Sequence, residues 1–131
     1  MFGQGPDAPN DKPDAKPMSG VTGRLEFKEV TFGYSPERPI LRNISFVADL
    51  GQTIALVGPT GSGKTSITAL AHRFYDVQQG SITIDGQDIR NVTQESIGTV
   101  MGMVLQEPFL FSGTIKDNIR FCLYWMAVII Y

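Results

Sequence analysis

The chain alternates between two hydrophobic rhythms, one of period two and one near 3.6, and the switch falls at a glycine-rich loop. Leu25, Phe27, Val30 and Phe32 predict a half-buried strand, and the adjacent pair Lys28-Glu29 breaks the alternation where a β-bulge would. Gly33-Tyr34-Ser35-Pro36 reads as a turn. Residues 44–48 and 53–57 read as further strands joined by a turn at Asp49-Leu50-Gly51. The run Ile54-Ala55-Leu56-Val57 is continuously apolar, as expected of a strand buried on both faces. After the glycines, Ile67, Leu70, Ala71 and Phe74 fall at i, i+3, i+4 and i+7, one face of a helix. Residues 81–84 form a short strand, and Asp85-Gly86 predicts a hairpin turn into residues 87–89. Thr93 is positioned to cap a short helix through Ile97. Residues 101–105 read as another buried strand, and Ser112 as the cap of a helix ending near Ile119.

The ends differ from this middle. Residues 1–22 carry Pro6, Pro9, Pro13 and Pro17 with little to bury, and read as a flexible linker, with ordered structure expected from about Gly23. Residues 122–131 are apolar and uncharged, rich in aromatic and β-branched side chains, an aggregation-prone composition. That tail is shorter than the ~20 residues that span a bilayer, and no secretory signal is visible. The 131 residues suffice for one domain, and 42% apolar with 18% charged residues fits a globular chain. A net charge of -2 provides no basic field for nucleic acid, and a single cysteine, Cys122, allows no internal disulfide.

Candidate chemistry concentrates in Gly58-Pro59-Thr60-Gly61-Ser62-Gly63-Lys64-Thr65, the pattern G-x-x-x-x-G-K-[ST]. Glycines let successive backbone N–H groups converge on one anion, and the following helix points its positive dipole end at the same place. Lys64 adds a full charge for the β- and γ-phosphates, the Thr65 hydroxyl suits Mg²⁺, and Ser66 can add a phosphate contact. The apolar run before the loop and the amphipathic helix after it supply the context the motif requires.

With these and other separated motifs, the chain resembles the ATP-binding domain of ABC transporters from about Gly23 to Phe121. Phe32-Gly33-Tyr34 is similar to the family's adenine-stacking segment, with Tyr34 in the stacking position. Val104-Leu105-Gln106-Glu107 resembles its glutamine loop, and Gln106 is thereby implied near Mg²⁺ and the attacking water. Phe109-Leu110-Phe111-Ser112-Gly113-Thr114-Ile115 with Asn118-Ile119, and Arg38-Pro39-Ile40-Leu41, look like the exporter branch. The resemblance implies an α/β fold, a P-loop NTPase-like parallel sheet core with an N-terminal antiparallel β subdomain, truncated before the helical subdomain. It implies ATP and Mg²⁺ as ligands and Tyr34, Ile40 and residues 58–66 as nucleotide contacts. Lys64 and Gln106 would then be the catalytic contributors, and Thr65 and Gln106 the metal contributors. A transmembrane domain and a second ATP-binding domain are the implied partners, at the cytoplasmic face of a membrane. His72, on the helix after the loop, reads as a solvated helix residue and not as the family's switch histidine.

The sequence departs from the family after Phe121. It contains no L-S-G-G-Q-like signature, no apolar strand ending in Asp-Glu and no switch histidine. A truncated or frameshifted reading explains this most simply. The strand at residues 54–57 would then lack the sheet neighbours that cover it in the family, leaving apolar side chains and backbone unpaired.

Overall fold

The computed structural model describes residues 9–104, 112–122 and 127–128. Its centre is a four-stranded antiparallel sheet in the order β2-β1-β3-β4, made of β1 (Leu25–Phe32), β2 (Leu41–Ala48), β3 (Gln79–Ile84) and β4 (Gln87–Asp88). Helix α1 (Lys64–Ala71) lies between β2 and β3 in sequence. A single 3-10 turn (Ile89–Asn91), α2 (Gln94–Val100), β5 (Gly102–Met103), α3 (Ile115–Cys122) and β6 (Ala127–Val128) follow.

β1 shows how the sequence sets the sheet. Leu25, Phe27, Val30 and Phe32 are buried, while Lys28 and Glu29 are exposed. The register shifts between Phe27 and Val30 against β2 and between Lys28 and Thr31 against β3. Glu29 takes a positive φ of 50°, and its amide donates to the Ser45 hydroxyl at 2.8 Å. This is the bulge foreseen from the broken alternation, and it returns Val30 and Phe32 to the core face. β3 must pass close to it at Gly80, whose φ is 82°. A Cβ there would fall on the carbonyl oxygens of Lys28 and Glu29, so the position requires glycine. Phe27 stacks on Phe46 across the ladder at 4.6 Å. Asp85 and Gly86 both have positive φ, 49° and 79°, which gives the two-residue hairpin its right-handed twist. Leu70 and Ala71 of α1 join these strands, Ile89, Val92, Ile97 and Met101 in one core.

Several sequence expectations need correction. Residues 53–57 form no strand among the described residues, and Ile54 and Val57 are 37% and 89% exposed. An apolar run becomes a buried parallel strand only when neighbours flank it on both sides, and the described residues place none there. The one described parallel ladder is β5–β6, pairing Gly102 with Ala127 and Met103 with Val128.

Residues 9–22, expected as linker, lie along the domain instead. Lys16 forms a parallel bridge with Val92, and Met18 is buried in the core. The Asp11 carboxylate accepts from the Gln94 amide at 3.0 Å and so caps α2, the role expected of Thr93, whose side chain makes no capping bond. Asp11 also accepts from the Arg73 guanidinium at 3.1 Å. At the other end, the Asp85 carboxylate accepts from the Thr22 amide and hydroxyl, both at 2.7 Å, and from the Gly23 and Arg24 amides, both at 3.0 Å. Burial works to raise the Asp85 pKa, but those donors together outweigh it and hold the carboxyl at about 2. Composition cannot reveal such a strap, because a backbone bridge at Lys16, the single buried Met18 and a few specific carboxylates hold it, and no apolar stripe does.

Helix α3 is capped by Thr114, not Ser112. The Thr114 hydroxyl accepts from the Asp117 amide at 3.1 Å, and Asp117 accepts in return from the Thr114 amide at 3.3 Å. His72 is buried, not solvated: it closes α1 and stacks near Phe74 at 5.7 Å. Burial lowers its pKa, and its Nε2 has no hydrogen-bond partner among the described residues.

Candidate functional site

The glycine loop runs from the exposed flank at residues 53–57 into the first turn of α1. Gly61 and Gly63 have φ of 82° and 92°, values that side chains resist. Gly63 is the N-cap of α1 and supplies no side-chain cap, and the first turn holds no acidic residue. The free N–H groups and the positive end of the helix dipole therefore face the loop without an internal counter-charge. A turn closed by Ser62 N–H to the Pro59 carbonyl, 3.1 Å, brings the chain round.

The loop is seated on β2. A Cβ on Gly63 would come within 2.6 Å of the Leu41 side chain and 3.0 Å of that of Ile40. Leu41 is buried and Ile40 is 38% exposed, so Ile40 borders the loop from the solvent side. The Lys64 ammonium donates to the carbonyls of Gly58 at 2.6 Å and Pro59 at 2.9 Å. It thus lies across the concavity of the loop, next to the N-terminus of its own helix. Thr65 is exposed and Ser66 buried.

Tyr34 reaches the loop from the other side. Its hydroxyl lies 3.2 Å from that of Ser66, and the residue is 55% exposed. Gly33 before it admits no side chain, since a Cβ would strike the Arg38 carbonyl. The turn is tied by Arg38 N–H to Ser35 carbonyl at 3.0 Å, Ile40 N–H to Phe32 carbonyl at 2.7 Å, and the Gln78 amide to Gly33 carbonyl at 2.9 Å. Two rings meet Tyr34 edge-on: Phe32 at 5.1 Å and 81°, and Tyr75 at 5.1 Å and 82°.

The fold thus gathers Tyr34, Ile40, Gly58, Pro59, Thr60, Gly61, Ser62, Gly63, Lys64, Thr65 and Ser66 along one short path of chain and one neighbouring turn. Gln106 lies outside the described residues. Sequence reasoning missed Tyr75 and Gln78, which come after α1, where helical periodicity no longer assigns a face. The only signal was the aromatic pair Phe74-Tyr75 following the helix.

A geometry of this kind, a glycine loop with a lysine folded across it at a helix start, suits a polyphosphate. The comparisons with known proteins agree. The family described as ABC transporter matches residues 41–129. The mitochondrial iron-sulfur clusters transporter ATM1 of Debaryomyces hansenii is 53% identical over 115 residues, covering 88% of this chain and 16% of that protein. A fatty acid ABC transporter ATP-binding/permease protein of Mycobacterium bovis is 46% identical over 116 residues, covering 88% of this chain and 18% of its own length. Among solved structures, a bacterial Atm1-family ABC exporter with ATP bound matches at a TM-score of 0.78 and 43% identity, over 86% of this chain and 20% of that one. The chain therefore spans less than a fifth of the curated relatives named here. It belongs to the ABC transporter family and corresponds to part of the family's ATP-binding domain.

Proposed function

We propose that residues 58–66 and Tyr34 bind ATP with Mg²⁺, as the nucleotide-binding part of an exporter-type transporter. The observation that carries this is the Lys64 ammonium held across a loop whose Gly61 and Gly63 both have positive φ, at a helix N-terminus with no counter-charge. Amides of residues 61–65 and Lys64 hold the β- and γ-phosphates, Ser66 adds a hydroxyl, and the exposed face of Tyr34 takes the adenine. Ile40 closes the side of the phosphate site.

The described residues contain no cluster of three or more His, Cys, Asp or Glu that would cage a metal. That fits Mg²⁺, which binds through one or two protein oxygens, phosphates and waters. The Thr65 hydroxyl in the first turn of α1 fits such a role, with Gln106 the second contributor from the glutamine loop. The ion would neutralise phosphate charge.

In the complete protein, hydrolysis of ATP drives export, and a transmembrane domain and a second ATP-binding domain complete the machine. The chain works at the cytoplasmic face of a membrane through that partner. No helix among the described residues is long and apolar enough to cross a membrane. The run at residues 53–57 joins a parallel core when its neighbours are present.

A second reading concerns the 131 residues as they stand. The exposed Ile54 and Val57 flank favours a non-hydrolytic nucleotide-binding piece or interaction module. The sequence offers Lys64 and Gln106 but no Asp-Glu strand to activate water.

Titration calorimetry of the 131-residue chain with ATP and Mg²⁺ tests the binding reading. Heat that disappears in Lys64→Ala is expected, and equal heat in both chains would sink it. Phosphate release is expected to match the Lys64→Ala background. Turnover that depends on Lys64 would remove the second reading.

A further inference from the structure

The structure brings one more side chain to this site. Helix α1 ends in a Schellman motif: the Arg73 amide donates to the Leu70 carbonyl at 2.9 Å and the Phe74 amide to the Ala69 carbonyl at 2.9 Å. The residue that turns left-handed there is Arg73, with φ 53°, not the usual glycine. A non-glycine residue in that conformation is strained, and the strain is offset by what Arg73 gains. Its side chain is only 1% exposed. Its guanidinium donates to Asp76 at 3.2 Å, Asp11 at 3.1 Å, the Val92 carbonyl at 3.0 Å and the Asn10 carbonyl at 3.3 Å. This anchored turn reverses the chain and delivers Tyr75 to the turn after β1.

Tyr75 then completes a three-ring cluster. Its centroid is 5.6 Å from Phe32 and 5.1 Å from Tyr34, edge-on to the latter at 82°. Phe32 meets Tyr34 edge-on as well, at 81°. Two edge contacts and the hydroxyl contact to Ser66 restrain the one ring of the three that stays exposed. Turning the Tyr34 ring about its Cβ–Cγ axis would break both edge-on pairs, and swinging the side chain about Cα–Cβ would also move its hydroxyl off Ser66.

We infer that Tyr75 is a positioning residue for base recognition: it fixes the plane of Tyr34, so that an adenine finds a pre-set stacking face, and contributes nothing to the phosphates. The inference rests on the nucleotide reading above and deepens it. Edge-on aromatic pairs are worth about 0.5–1.5 kcal/mol, which corresponds to about two- to tenfold in affinity.

The test compares two ligands on the full 131-residue chain by calorimetry, ATP and inorganic tripolyphosphate, both with Mg²⁺. Tyr75→Leu is expected to weaken ATP about two- to tenfold and leave tripolyphosphate unchanged. Tyr75→Phe, which keeps the ring, is expected to restore ATP binding. Far-ultraviolet circular dichroism of Tyr75→Phe and Tyr75→Leu is expected to match the wild type. Equal weakening of both ligands in Tyr75→Leu would assign Tyr75 a structural role and overturn the inference while leaving nucleotide binding intact. Unchanged affinity for both ligands would overturn it too. A wild-type chain that binds neither ligand would overturn the nucleotide reading and this inference with it.

Discussion

The two flanks of the glycine loop are built differently. On the side of β1, β3 and the 9–22 strap, backbone groups are paired in ladders and the core residues are nearly all below 10% exposure. On the side of residues 53–57 the chain joins no described ladder and is largely exposed, with Val57 at 89% exposure beside the first loop glycine. Yet the loop keeps its curvature. It takes its shape from α1, from the Ile40 and Leu41 seat and from Lys64, and not from the chain that leads into it. A phosphate-binding loop can thus be shaped from one side only, provided that side is firmly bonded. Stability should then be sensitive to changes on the sheet side and tolerant of changes on the open side.

The largest effect is expected at Gly80. Gly80→Ala forces a Cβ onto the carbonyls at the β1 bulge and a side chain into a φ of 82°. It should cost about 2–3 kcal/mol in urea unfolding, and a loss under 0.5 kcal/mol would show that the bulge relaxes freely. Next comes Asp85→Asn, which preserves the hairpin turn because Asn tolerates positive φ, but halves the acceptors that anchor Thr22, Gly23 and Arg24. A cost of about 1–2 kcal/mol is expected.

The same anchor has a pH signature. The folded pKa of Asp85 is about 2 against an ordinary 3.8, so its contribution is complete above pH 4 and fades as pH falls from there towards 2. His72, lowered from 6.5 by burial, acts earlier. Its protonation favours the unfolded chain, so stability should begin to fall as pH drops below 6.5. Unfolding curves between pH 8 and 2 should show both stages, and Asp85→Asn should flatten the lower one.

Asp11→Ala removes the cap on α2 and one partner of Arg73, and is expected to cost about 1 kcal/mol. Limited proteolysis should then cut within residues 9–22 sooner. The smallest effect is expected on the open flank: Val57→Thr should change the stability of the 131-residue chain by less than about 0.5 kcal/mol. A larger loss would mean that residues 53–57 are packed in solution, and the contrast between the two flanks would fail.

How far the sequence disclosed this arrangement depended on the range of the forces involved. The Lys28-Glu29 bulge and the Asp85-Gly86 turn were legible because a broken alternation and a two-residue turn are local events. The core face of β1 was legible for the same reason. Residues 53–57 were misread as a strand because a local pattern marks an apolar run but cannot supply the neighbours that pair it, while their exposure matches the lack of cover expected from the sequence. The strap escaped notice because Asp11 finds Gln94 and Arg73 across long stretches of chain, and Pro-rich composition conceals such single contacts. His72 was taken for a surface residue because one polar side chain at the end of a short helix gives no periodic signal. At the candidate site the motif named the loop, but Tyr75 required the path of the chain beyond α1. Gln106 lies outside the described residues, and its part in the site stands as proposed.

One consequence follows from the short bonds between the Lys64 ammonium and the Gly58 and Pro59 carbonyls. An arriving polyphosphate wins that charge by swapping partners, since the main chain already uses it. The heat released on association should therefore fall short of what a fresh ion contact would give. Departure of the anion returns the ammonium to its carbonyls, so the lysine doubles as a resident splint. Lys64→Met would on this view do more than erase a charge: it would also slacken the curve into which the anion fits.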